Sequence, residues 1–293
     1  MSPARGLADH MGRPGHIRKG RLSYADDFVA LTRSLQEIPS LIMVADFAVA
    51  ILPFVLIGFA AQLVDGALGM AFGVISSTLL IGFGVPPAAA SAGVHLAECV
   101  TTGLSGLGHA LHRNIDWGLF RRLVLPGLIG GAAGAYLLSS LDASTVKPFV
   151  LAYLLIVGIV LLVRALCYPP TPKRPRFVAP IGFAGGFLDA AGGGGWGPVV
   201  TSNLLIQGTS PRTTIGTVNS AEFFLTVTIS VTFILSLGMA AFTTATLGLI
   251  LGGALAAPLG PVAARHLPAR LLLILAGAVI IGTSAYGIWR AFG

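Results

Sequence analysis

Between Phe47 and His112 the chain has no Lys or Arg and only two acids, Asp65 and Glu98. From Phe177 to Gly293 it again has only two, Asp189 and Glu222. With 10% charged and 55% hydrophobic residues, it falls far below the roughly 25% charge of soluble domains. Several apolar stretches approach the ~20 residues a membrane helix needs. Helices satisfy their own backbone groups in lipid, so the expected fold class is an all-α polytopic membrane protein. Carboxylates are costly there, and four retained acids mark a functional site. Asp189 follows Asp65 by 124 positions, and Glu222 follows Glu98 by the same 124.

That offset extends to the surrounding sequence. Residues 58–98 align without a gap on 182–222, with 13 identities in 41 positions. These include Gly58/Gly182, Asp65/Asp189, Gly69/Gly193, Gly73/Gly197, Pro87/Pro211 and Glu98/Glu222. The reading is a polar tail (1–40), a transmembrane repeat (41–167), a basic Pro-rich linker (168–177) and a second repeat (178–293). The tail shows no signal-peptide pattern. Within it, Phe28, Leu31, Leu35 and Ile38 recur at helical spacing. They suggest a short amphipathic helix over 25–38 on the membrane surface, with a plain disordered tail as the alternative.

Apolar segments follow at 43–64, 69–83, 88–111, 122–140 and 146–167, then at 178–191, 195–207, 213–237, 242–264 and 269–290. At ~1.5 Å per residue, 69–83 reaches only about 22 Å, short of a ~30 Å hydrocarbon core. Its joint is Asp65-Gly66-Ala67-Leu68-Gly69, and the counterpart is Asp189-Ala190-Ala191 followed by Gly192 to Gly195. Each half therefore reads as a broken or re-entrant helix pair followed by three transmembrane helices, a pattern that points to a transport site. Basic residues cluster after the third, fifth and ninth segments, while 238–241 has no charge. Equivalent loops carry opposite bias, which favours inverted repeats with the N-terminus outside. The basic tail argues the other way, and parallel repeats with an inside tail remain the alternative.

On the third segment His95, Glu98, Thr102, Ser105, His109 and His112 recur in steps of three and four, forming one polar face. Asn219, Glu222 and Thr226 repeat its upper part. Glu98 and Glu222 are the candidate coupling acids. A polar helix–helix seam is the alternative, above all for the hydroxyl residues. Asp65 and Asp189 precede the helices expected near Gly69 and Gly195. They suit N-terminal capping equally with coupling-ion or substrate contact. The run Gly192, Gly193, Gly194 and Gly195 offers backbone N–H groups to an anion. With Gly69, Gly73, His95 and Asn219 these are the candidate substrate contacts, and Phe72 and Trp196 read as packing or lining residues.

His109 and His112 lie about 15 Å or more along the helix from His95 and Glu98, so one metal cannot use all four. No metal or cofactor is expected. Cys99 and Cys167 both sit in apolar segments, which argues against a disulfide framework or zinc site. Lys and Arg fall in the tail and short loops rather than in a nucleic-acid-binding patch. No nucleotide-binding motif appears.

At these residues the chain resembles the sulfite exporter family TauE/SafE. The resemblance covers nearly all of 47–291. It rests on Gly58-Phe59-Ala60 with Asp65-Gly66, Gly69 and Gly73; on His95, Glu98 and His109; on Asn114-Ile115-Asp116; and on Gly182-Phe183 with the run from Gly192 to Pro198. It implies an inner-membrane, multi-pass transporter, not an enzyme, that carries a small sulfur-containing anion such as sulfite or an organosulfonate. The first copy departs from the pattern, with Leu68, Met70 and Ala71 in place of a Gly-rich run. The expectation is a secondary exporter whose Glu98 and Glu222 exchange protons, because an acid withdrawn from water tends to be neutral and then tolerates an anion. His95 would supply positive charge when protonated. The expected partners are the anion, the bilayer and a second copy in a homodimer. The rivals are an import role, an intramembrane metalloenzyme using His95, Glu98 and His109, and a non-transporting scaffold.

Overall fold

The computed structural model describes residues 24–166, 175–207, 209–259 and 269–292, which contain helices and no strand. Most of the expected linker, and residues 260–268, lie outside them. The chain divides into two compact units, 1–48 and 49–293. In the first, the described backbone is helical from Tyr24, inside the stretch read as a tail. The helical periodicity of 28–38 falls within the helix Tyr24–Leu68. The helix packing and both cavities belong to the second unit.

The helices are α1 (Tyr24–Leu68), α2 (Phe72–Gly82), α3 (Pro87–Leu111), α4 (Trp117–Ser140), α5 (Ala143–Leu166) and α6 (Val178–Gly192). A six-residue π-helical turn, Trp196–Thr201, then runs into the short α7 (Ser202–Ile206). After it come α8 (Pro211–Leu237), α9 (Thr244–Ala256) and α10 (Ala269–Phe292). Four stretches are long and apolar enough to cross a membrane: Met43–Gly66, Trp117–Ser140, Ala143–Val163 and Thr213–Leu237. α3 has 25 residues but is not among them, because its polar face lowers its hydropathy. α2, with 11 residues, is only about 16 Å long and cannot cross a ~30 Å core.

Local chemistry sets the boundaries. Pro87 and Pro211 stand in the first turns of α3 and α8, where no N–H partner is lost. Asp116 caps α4 by accepting from the N–H groups of Gly118 (2.9 Å) and Leu119 (3.0 Å). Thr243 and Thr246 close a reciprocal capping box on α9. At the α1–α2 joint Gly69 has φ +66° and Ala71 φ +122°; after α6, Gly193 and Gly194 have φ +73° and +145°. These left-handed conformations stop both helices where the sequence places its joints.

α4 packs most extensively on α6, α5 on α10, and α3 on α8. Small residues permit the close crossings. A methyl on Gly130 or Gly134 of α4 would collide with the carbonyl of Phe183 or Phe187 on α6, and one on Gly58 of α1 would stand 2.6 Å from the Leu249 oxygen on α9. Large apolar side chains such as Leu125, Ile129, Phe149, Ile156, Leu235 and Trp289 face outward, while Ser76, Ser77, Thr78, His95, Glu98, Thr101 and Thr102 are buried. A polar interior within an apolar exterior is the distribution expected in lipid.

Candidate functional site

The four acids converge. Asp65 near the end of α1, Glu98 on α3, Asp189 near the end of α6 and Glu222 on α8 line one cavity of about 10 Å³. Ala71 to Val74, with Gly194, Gly195, Gly197 and Pro198, complete its wall, and no Lys or Arg lines it among the described residues. That volume holds about one water-sized occupant. It has no room for an oxyanion.

The two joints meet across this cavity. A methyl on Gly73 would stand 2.9 Å from Glu98 Oε1 and 3.1 Å from the Gly194 Cα, and one on Gly197 would stand 2.8 Å from the Met70 Cα. Asp189 organises its own joint. Its Oδ1 accepts from the N–H groups of Gly195 (2.6 Å) and Trp196 (2.9 Å), and its carbonyl accepts from Gly194 N–H (2.9 Å). The N–H groups of Gly194 and Gly195 therefore already have partners within the chain, and an anion does not meet them free. Gly192 packs on the Tyr153 ring and Gly193 on Ser77. Tyr153 also donates its hydroxyl to the Gly194 carbonyl (2.9 Å). At the other joint, half-buried Asp65 accepts only a long bond, 3.4 Å, from Phe72 N–H. The helix thus begins at Phe72 rather than near Gly69, whose N–H returns to the Asp65 carbonyl (2.6 Å).

His95 is fully buried. Its Nδ1 lies 2.7 Å from the Ser91 carbonyl and 3.2 Å from Ser91 Oγ, whose own hydrogen goes to the Ala190 carbonyl (2.7 Å). Both Ser91 oxygens can only accept from that nitrogen, so Nδ1 carries a hydrogen. Nε2 faces Asp189 Oδ2 at 3.1 Å and Glu98 Oε2 at 4.0 Å. Glu98 Oε2 is buried with no hydrogen-bond partner among the described residues.

A second cavity, about 550 Å³, lies beside the first. Gln62, Thr101, Ser105, His109, His112, Asn114 and Asn219 supply its polar groups, and Gly69 and Ile215 also line it. Asn219 donates from Nδ2 to Ser105 Oγ (3.0 Å), while Asn219 Oδ1 and Gln62 Oε1 are buried without partners among the described residues. The volume falls in the ~300–1,000 Å³ range of ligand pockets. Three helices serve both cavities one turn apart. Asp65, Glu98 and Glu222 line the small one, and Gln62, Thr101 and Asn219, each three residues away, line the large one.

Of the substrate contacts expected from sequence, Gly69 and Asn219 reach the large cavity. Gly73, Gly194 and Gly195 line the carboxylate cavity, and Gly192, Gly193 and His95 line neither. His109 belongs to the large cavity and stands beside Asn114, so the combination of His95, Glu98 and His109 does not assemble. Gln62 and Thr101 were not anticipated. Gln62 carried a signal in being a polar residue one turn before Asp65 in an apolar run. Ser91, one turn before His95, carried the same signal.

A family description, Sulfite exporter TauE/SafE, matches residues 54–287. The chain is 42% identical over 241 residues to the probable membrane transporter protein YtnM of Bacillus subtilis (strain 168), covering 79% of this chain and 80% of that protein. No solved structure matches.

Proposed function

The chain belongs to the sulfite exporter TauE/SafE family, and from that premise we propose that it is a multi-pass inner-membrane transporter exporting a small sulfur-containing anion. The observation that carries the reading is the pairing of cavities, one crowded with carboxylates and one larger, mostly apolar and carrying amide, hydroxyl and imidazole groups, a single turn apart on α1, α3 and α8. The anion occupies the larger cavity. There the donors of Gln62, Thr101, Ser105 and Asn219 hold it through neutral hydrogen bonds, which suits a substrate that must also leave. Sulfite or a small organosulfonate fits both the chemistry and the volume. Glu98 and Glu222 exchange protons one turn away, so carboxylate charge responds to the anion next to it.

The chain is further read as two inverted repeats. Reciprocal contacts support the repeat: Gly73 faces Gly194 while Gly197 faces Met70, and Gly69 faces Ile215 while Gly193 faces Ser91. In each couple both members shift by 124 positions, as a two-fold relation between halves requires. Loop charge supports the inversion.

Flux of sulfite and small organosulfonates across proteoliposomes under a pH gradient tests the reading. Glu98→Gln and Glu222→Gln should each reduce pH-driven flux at least tenfold, and unchanged flux would remove proton coupling. Asn219→Ala should raise KM several-fold, and an unaltered KM would remove the anion from the larger cavity.

A further inference from the structure

We propose that His95, Glu98 and Asp189 form a buried binding site for one divalent cation of the imidazole-accepting class, such as zinc or cobalt. These three side chains bring one donor atom each within 4.8 Å of one another, all buried. The Nδ1 hydrogen of His95 is committed to Ser91, so in the neutral ring the bare lone pair is on Nε2 and points at the two carboxylates. Metal-binding histidines are held in this way, with the remote nitrogen donating to a carbonyl that fixes tautomer and ring orientation. Asp189 is held similarly. Gly195 and Trp196 bind Oδ1, and Oδ2 is left 3.1 Å from Nε2.

A lone proton satisfies this arrangement only in part. Placed between Nε2 and Asp189 Oδ2, it leaves Glu98 Oε2, at 4.0 Å from Nε2 and without a hydrogen-bond partner, unserved. Glu98 is 3% exposed, so bulk water does not serve it either. A cation reaches all three atoms, in competition with the proton that Glu98 exchanges. With bonds of about 2.0–2.2 Å, tetrahedral donors stand roughly 3.4 Å apart. The 3.1 and 4.0 Å separations bracket that value and all three donors lie within 4.8 Å of one another, so shifts of about 1.5 Å or less complete the shell. The adjoining cavity of about 10 Å³ holds one water as a fourth ligand. Glu222 and Asp65 also line it, without a basic residue among the lining, which favours a doubly charged guest and opposes an anion. An imidazole in the set selects against calcium and magnesium, which prefer oxygen donors alone.

The test uses the full chain, purified in detergent and stripped with chelator, and does not depend on transport. Cobalt titration should give one equivalent of bound metal with the visible absorption of a tetrahedral site, bleached by zinc. Zinc should raise the Tm, since a ligand that binds only the folded state stabilises it. His95→Ala and Glu98→Gln should each weaken cobalt binding at least a hundredfold; Glu98→Gln conserves shape and guards against loss of fold. A folded wild-type chain with neither the cobalt spectrum nor a zinc shift overturns the proposal. So does undiminished binding in both variants, which would place the metal elsewhere, for instance at His109 and His112. Protein that transports yet binds no cobalt or zinc refutes only this site, whereas protein that binds the metal yet moves no anion refutes only the transport reading.

Discussion

Asp65 and Asp189 occupy equivalent positions in the sequence, yet replacing them should have very different consequences. In Asp189→Ala, Gly195 and Trp196 lose a charged acceptor at 2.6 and 2.9 Å, and both donors are buried. Each buried donor left unpaired costs about 1–3 kcal/mol, so the expected loss is about 2–6 kcal/mol. In Asp65→Ala only the 3.4 Å bond to Phe72 N–H of a half-buried acid disappears. At that length the bond contributes at most about 1 kcal/mol. For a unit of this size roughly 2–4 °C accompanies each kcal/mol. Asp189→Ala should then lower the Tm by about 4–24 °C and Asp65→Ala by no more than about 4 °C. Asp189→Asn separates capping from repulsion among the four acids: it keeps an oxygen for the two N–H groups and removes the charge. Thermal unfolding of the three variants in one detergent is the assay. Equal losses in Asp65→Ala and Asp189→Ala would refute the capping argument. A rise in Tm for both Asp189 variants would show that crowding of like charge outweighs capping.

Two further substitutions test the backbone seam and a surface cap. Gly194→Ala combines φ +145° with a methyl driven into the Val74 backbone, whereas Gly84→Ala at φ +92° meets nothing within 4 Å. The first should abolish the monodisperse folded protein on size exclusion and the second should cost about 1 kcal/mol in thermal unfolding; similar behaviour would remove the close seam. Asp142 is exposed before α5, where the Ser144 hydroxyl and then the Thr145 and Ser144 N–H groups hold its carboxyl below the usual aspartate range. A lowered folded value stabilises above the unfolded value, and the contribution is lost as pH falls through the folded one. Asp142→Asn should therefore flatten the acid side of a Tm-against-pH profile slightly, and an unchanged slope would refute the cap.

Much of the site was legible because its residues are chemical exceptions in their surroundings. An acid within apolar sequence is conspicuous at any distance along the chain, and the four exceptions do meet. The glycine joints were legible too, since Gly69, Gly193 and Gly194 adopt backbone conformations that other residues resist. Periodicity separated α3 from its neighbours. What remained hidden depended on partners distant in sequence. The run from Gly192 to Gly195 looks like an open anion cradle until Asp189 folds back on its N–H groups and Tyr153 arrives from α5. His109 shares a helical face with His95, but α3 carries it to the other cavity. The π-helical turn at Trp196 was invisible because a wider helix shows no distinct pattern over six residues.

The seam where Gly73 meets Gly194 also bears on movement. Packed helices normally interlock, and sliding one past another requires side chains to climb out of grooves. Gly73 and Gly194 meet here backbone to backbone, bordered by the side chains of Ser77, Glu98 and Met70. The four carboxylates line the same cavity as Gly73 and Gly194, so their charge bears on a backbone-to-backbone contact rather than on a side-chain interdigitation.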